Sequence, residues 1–169
     1  MSSSWFVIQS KPNREDALYQ QLLAKDLDVF YPWIHVTPVN PRSRKIKPYF
    51  PGYLFVNVDL EMTGIAILQY TPFAKGLVSF DQEPAPVAEA LIDAIRRKVD
   101  LINNTGGESY IGLTPGARVK IQSGPFEGYD AIFDERLPGR ERVRVLLLLI
   151  NDQRRRVELN VGMIKPVKK

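Results

Sequence analysis

Between Pro48 and Val58 the chain places apolar side chains on both parities of an extended segment. Leu54, Val56 and Val58 share one face of the predicted strand, and Tyr53 and Phe55 share the other. A strand with one wet face alternates apolar with polar residues. This one has a second apolar face, which leaves an aromatic pair available to a partner. The same double parity returns in Val145 Leu146 Leu147 Leu148 Leu149 Ile150, so a strand there would leave some leucines exposed unless something covers them.

Around these stretches the pattern alternates between strand and helix. Trp5 to Gln9 reads as a first strand, and Lys11 Pro12 breaks it. Asn13 is the expected N-cap of a helix ending near Asp26, with Glu15 and Asp16 at the positive end of its dipole and Leu18, Leu22, Tyr19 and Leu23 as its stripe. Val29 to Val36 is β-branched and aromatic enough for a strand in which Pro32 marks an edge or bulge. Pro38 to Lys47 reads as an exposed basic hairpin tip, Thr63 to Tyr70 as a short helix, and Leu77 to Phe80 as a short strand. Pro86 is expected to open a helix whose stripe is Val87, Leu91, Ile95 and Val99.

Asn103 Asn104 Thr105 Gly106 Gly107 Glu108 Ser109 has the composition of a linker. Beyond it the pattern predicts strands at Arg118 to Gln122, Tyr129 to Asp134, Arg142 to Ile150, Arg154 to Leu159 and Met163 to Pro166. Gly124 Pro125, Pro138 Gly139 and Asn151 Asp152 supply the turns. Five short strands suggest a small barrel. The expected fold class is therefore α+β: an antiparallel sheet flanked by helices over residues 1–102, a linker over 103–112, and a five-stranded β-barrel over 113–169. One conflict stands inside this reading. Leucine, arginine and glutamate are good helix formers, so local propensity in the leucine run opposes a strand.

Composition narrows the chemistry. With no cysteine among 169 residues, disulfides, thiolate metal sites and cysteine nucleophiles are excluded. The one histidine, His35, sits between Ile34 and Val36 as a strand residue would, and Gly106 Gly107 lacks the Lys and helix start of a phosphate loop. Asp59, Glu61 and Asp81 are the carboxylates a metal-dependent nuclease would use, but no spacing favours one. The expectation is a non-enzymatic protein without cofactor or metal. No apolar run approaches the roughly 20 residues of a membrane helix, so a soluble cytoplasmic monomer is expected. The net charge of +4 is concentrated in the C-terminal third, which suits nucleic acid or ribosome contact and equally a solvated basic surface.

Two motifs add a resemblance. Gly116 Ala117 Arg118 Val119 Lys120 Ile121 Gln122 Ser123 Gly124 Pro125 Phe126 Glu127 Gly128 resembles the KOW motif that opens a small SH3-like barrel. Trp5, the helix start Lys11 Pro12 Asn13 Arg14 Glu15, and Phe50 Pro51 Gly52 Tyr53 Leu54 Phe55 Val56 resemble the N-terminal (NGN) domain of the NusG family of transcription elongation factors. Phe126 to Phe133 and the leucine run look closest to the operon-specialised RfaH branch of that family, with a general NusG the alternative.

The resemblance implies a factor that docks on the clamp helices of the RNA polymerase β′ subunit, bridges the DNA cleft toward β and opposes pausing. Its implied polymerase contacts are Phe50, Tyr53 and Phe55, with Leu77 and Phe80 nearby. Phe50 can equally fill the core. Lys11, Arg14, Arg42, Arg44, Lys45 and Lys47 are the implied contacts to nontemplate DNA or polymerase loops, or simply a solvated rim. The KOW barrel is expected to recruit a small-subunit ribosomal protein or Rho through Phe126, Ile150 and Asn151, with Phe133 equally suited to the core. Gly64 Ile65 Ala66 Ile67 stands where RfaH-type proteins carry a His and Thr cluster, so that contact to β is not expected. In the RfaH branch the C-terminal domain also adopts a helical hairpin that masks the polymerase site, and the resemblance implies such a hairpin as the alternative state of residues 113–169 here. Lys47 here replaces the acidic residue expected before the signature proline, which removes a charge partner for Arg142. An RNA- or ribosome-binding KOW protein without a polymerase role, driven by Arg154 to Arg156, is the alternative.

Overall fold

In the computed structural model, residues 3–35, 46–104 and 138–151 are described. The central strand is β1 (Ser4–Ser10), whose residues are nearly all buried because both faces of the sheet are covered. It pairs antiparallel with β5 (Tyr53–Val58), with Phe6 opposite Val56 and Ile8 opposite Leu54. β2 (Asp28–Phe30) pairs with the outer edge of β5, and β6 (Ala74–Leu77) with the other side of β1. The resulting order is β2-β5-β1-β6, and β9 (Pro86–Val87) also pairs with β1 to complete five strands. Two small ribbons stand off this sheet: β3 (Trp33–His35) with β4 (Ile46–Pro48), and β7 (Ser79–Phe80) with β8 (Glu83–Pro84).

The first helix, α1 (Glu15–Leu23), seats Leu18 and Leu22 on one sheet face, where they meet Phe6, Ile8, Leu54, Val56 and Val58. Its start differs from expectation. Arg14 holds the cap position and makes no side-chain cap bond, while Asn13 takes φ 59, a left-handed conformation that asparagine tolerates. Glu15 turns inward instead and accepts a hydrogen bond from the Gly52 N–H at 2.8 Å. The expected helix at 63–70 is two short pieces, α2 (Leu60–Thr63) and α3 (Ile65–Gln69), broken at Gly64 with φ 87. Asp59 caps the first by accepting from Glu61 N–H at 3.0 Å.

The long helix α4 (Glu89–Asn104) starts after the proline rather than at it, because Pro86 and Val87 pair with Phe6 and Trp5. Its stripe is Leu91, Ile92, Ile95, Val99 and Ile102, and it covers the opposite sheet face. The helix extends through Asn103 and Asn104, two residues that the composition suggested for the linker. Asn103 has work there: its Oδ1 accepts from the His35 N–H at 2.8 Å and its Nδ2 donates to the Trp33 carbonyl at 3.1 Å. That pairing satisfies an edge of β3 with a side-chain amide in place of another strand.

The barrel-strand expectation for the leucine run is also overturned. Arg142 to Ile150 is not a barrel strand: residues 139–151 form a helix, α5, and Pro138 Gly139 leads into it instead of connecting two strands. The buried positions are 142, 143, 146, 149 and 150, while 140, 141, 144 and 148 are exposed. That spacing is a helical stripe, and it gathers Val143, Leu146, Leu149 and Ile150 on one side as a period of two cannot. The other predicted barrel strands, Phe126, Phe133 and the rest of the expected hairpin lie outside the described residues, as do Arg42, Arg44 and Lys45.

Candidate functional site

The site is built on a turn. Phe50 Pro51 Gly52 Tyr53 closes with the Tyr53 N–H donating to the Phe50 carbonyl at 3.0 Å. Proline at the second position and glycine with φ 86 at the third are the requirements of a type II turn. It is tied down on its inner side. The Gly52 carbonyl accepts from Ser10 N–H at 2.7 Å, its N–H donates to Glu15, and Tyr49 N–H donates to the Pro32 carbonyl at 3.0 Å.

From this turn an aromatic ladder crosses the sheet. Tyr49 meets Phe50 edge-on with centroids 4.9 Å apart, Phe50 meets Phe55 at 5.9 Å, and Phe55 stacks on Phe30 at 5.6 Å. The Arg96 guanidinium caps the far end, 4.3 Å from the Phe30 centroid. Sequence parity placed Tyr53 and Phe55 on the face away from α1, and the structure agrees. It corrects their accessibility. Phe50 and Phe55 are both 0% exposed, and only Tyr53 remains half-buried. Burial raises the Tyr53 phenol above its ordinary value of 10.0.

Part of the cover over this face comes from far along the chain. Val143, Leu146, Leu149 and Ile150 of α5 join Phe50, Phe55, Tyr49 and the α4 stripe in one cluster. Removing four such side chains from water contributes about 6 to 12 kcal/mol before the ordering of the segment is counted. Arg142 fixes the contact. It is 1% exposed, its Nε donates to the Tyr49 carbonyl at 2.8 Å, and its guanidinium carbon lies 4.5 Å from the Tyr49 ring centroid. A buried arginine is tolerated only when its donors are satisfied, and the carbonyl and ring face contribute to that. The sequence reading missed Tyr49, although its place beside Phe50 in the aromatic run was a visible signal.

The other candidates divide. Phe80 packs at the rim of the same cluster, but Leu77 pairs with Ile8 and packs on the α1 side, so it does not belong to this face. Lys11 and Arg14 are exposed at the start of α1, while Lys47 is half-buried in β4 rather than at a hairpin tip. Ile150, expected as a KOW partner contact, is buried in the cluster, and Asn151 is half-buried at the end of α5. A cavity of about 350 Å³ lies along the seam, between Asn13, Glu15, Lys47 and Pro51 on one side and Gly139 and Arg142 on the other. Among the described residues no group of three His, Cys, Asp or Glu is placed to hold a metal ion, and no helix is long and apolar enough to cross a membrane.

Comparison with known proteins shows the family. The family model "NusG: Transcription termination factor nusG" matches residues 3–96. The chain is 22% identical to the "Transcription termination/antitermination protein NusG" of Pseudomonas aeruginosa, over 99% of this chain and 100% of that one. It is 26% identical to the protein of the same description from Helicobacter pylori, over 78% of this chain and 80% of that one. A solved structure described as "Domain interaction in Thermotoga maritima NusG" aligns with a TM-score of 0.46 at 22% identity, covering 74% of this chain and 75% of that one. The chain belongs to the NusG family. It is a NusG-like transcription termination/antitermination factor.

Proposed function

We propose that this chain is an elongation and antitermination factor that docks on the β′ clamp helices of RNA polymerase through the face carrying Phe50, Tyr53 and Phe55, with Phe80 at its rim. Bridging the cleft from there would favour a closed clamp and suppress pausing. The observation that carries this reading is the aromatic ladder. It lies on the sheet face whose cover includes a segment reached only after the predicted linker, so that part of the cover is removable without dismantling the N-terminal sheet. A binding face needs that property.

In this reading α5 is the closed form of a C-terminal segment that exchanges between a docked helical state and a released SH3-like KOW barrel. The helical stripe of 142–150, lying over the aromatic face, favours the RfaH-like branch of the family over a factor serving every transcription unit. Once released, the barrel would recruit a ribosomal protein or Rho with Phe126, Ile150 and Asn151. Lys11, Arg14, Arg42, Arg44, Lys45 and Lys47 would supply contacts to nontemplate DNA or polymerase loops. Exposed Lys11 and Arg14 at the start of α1 suit that role.

The test is capture of the intact chain on isolated β′ clamp helices. Leu149→Asp places a charge in the cover and is expected to raise capture. Adding Tyr53→Ala is expected to abolish it while the β1 and β5 amides stay protected. Phe55→Ala is a poor probe, because a fully buried ring serves the fold as well. Equal, weak capture of the native chain and Leu149→Asp would overturn the polymerase reading. Salt-sensitive RNA binding in its place would favour the alternative.

A further inference from the structure

The start of α5 approaches the aromatic turn more closely than a side chain permits. A Cβ on Gly139 would lie 2.5 Å from Pro51 Cγ and 2.7 Å from Pro51 Cδ. Neither partner can give way cheaply. Pro51 is a ring held inside a turn, closed by the Tyr53 to Phe50 hydrogen bond and anchored from below through Gly52 to Ser10 and to the Glu15 carboxylate. On the other side, Pro138 immediately precedes Gly139, and its carbonyl already accepts from the Glu141 N–H at 2.9 Å and the Arg142 N–H at 3.1 Å. Moving Gly139 outward would therefore move the helix start, and with it Arg142 one turn on, away from the Tyr49 carbonyl.

We propose that Gly139 is the steric gate of the cover: its missing side chain lets α5 seat on Pro51 and brings Arg142 within reach of Tyr49. Pro51 is the anvil and Glu15 the residue that positions it, so the first helix of the N-terminal domain and the distant segment meet at one contact. The gate concerns seating alone. Its consequence for activity rests on the docking face proposed above, in that any displacement at residue 139 uncovers Phe50 and Phe55 without altering either.

The gate makes a prediction that helix propensity opposes. Alanine favours a helix over glycine, so Gly139→Ala strengthens α5 as an isolated helix while, by this proposal, unseating it. Amide hydrogen exchange of the intact chain, without polymerase, reads the difference. Gly139→Ala is expected to speed exchange at residues 143–150 by tenfold or more and to leave β1 unchanged. Pro51→Ala removes Cγ and Cδ, the two atoms in the way. Alone it should leave the cover protected, and combined with Gly139→Ala it should restore protection to within about threefold of the native chain. Unchanged or slower exchange in Gly139→Ala overturns the gate. So does loss of protection that Pro51→Ala fails to restore. Because polymerase is absent from this experiment, a seated gate with no clamp-helix capture would condemn the docking reading and leave the gate standing.

Discussion

The two faces of the central sheet are both dry, yet they are dry for different reasons. On one face Phe6, Ile8, Leu54 and Val56 are covered by α1, which follows β1 after four residues. On the other, Phe50 and Phe55 are covered by α4 and by α5, whose Arg142 bonds a carbonyl 93 residues away in sequence. A local cover forms with the domain, because closing a short loop costs little entropy. A distant one can be withdrawn and replaced, because its closure entropy is recovered on release. In the proposed reading the difference separates a structural face from a docking one where burial alone cannot, since Leu54 and Phe55 are equally buried.

Cavity mutants break the comparison most severely. Leu18→Ala, on the local cover, is expected to destabilise the whole N-terminal domain by about 2 to 5 kcal/mol in chemical denaturation. Leu146→Ala costs a similar amount on the distant cover, but the loss should appear as faster exchange confined to α5 and the face beneath it, with the denaturation midpoint of the sheet little changed. If both lower that midpoint equally, the covers do not differ in kind.

A smaller effect is expected at the polar contact. Arg142→Met keeps much of the apolar stem but leaves the Tyr49 carbonyl without this donor, at a cost of about 1 to 3 kcal/mol to the closed state. Lysine should not rescue it, because an ammonium cannot bond the carbonyl and lie flat on the ring together. Exchange at residues 143–150 reports both variants.

Asn103→Ala sharpens the contrast further, since it removes two hydrogen bonds from the end of α4 to β3 while leaving the apolar stripe of each cover unchanged. Its cost should be about 1 to 3 kcal/mol, seen first as faster exchange of the His35 amide.

The mildest perturbation is pH. Burial raises the Tyr53 phenol above 10.0, so the folded protein holds that proton more tightly than the unfolded chain. The associated stability is fully present below pH 10 and is lost as pH rises through the folded value. Tyr53 phenol absorbance followed upward from pH 9 should therefore titrate late. In Leu149→Asp, with the cover lifted, it should move back toward the ordinary value.

Much of this was legible in the residues. The parity of Leu54, Val56 and Val58 against Tyr53 and Phe55 separated the two faces correctly, because a strand's alternation is a local property. The type II turn at Pro51 Gly52 is equally local in origin, although the sequence reading took these residues only as part of the aromatic signature. Leu77 was misassigned because its face depends on register with Ile8, and Pro86 because pairing with Phe6 outweighed its usual place at a helix start. Asn103 looked like linker until β3 offered it an unpaired edge.

The leucine run shows where sequence stops. By itself it determined that Val145 to Ile150 is apolar on both parities and comfortable as a helix. It did not determine which secondary structure forms, since alternation and helical stripe were both available to the same residues. Only the tertiary structure decided that, by presenting Phe50, Phe55 and the Tyr49 carbonyl as a surface to which a helical stripe, and not a strand, is complementary.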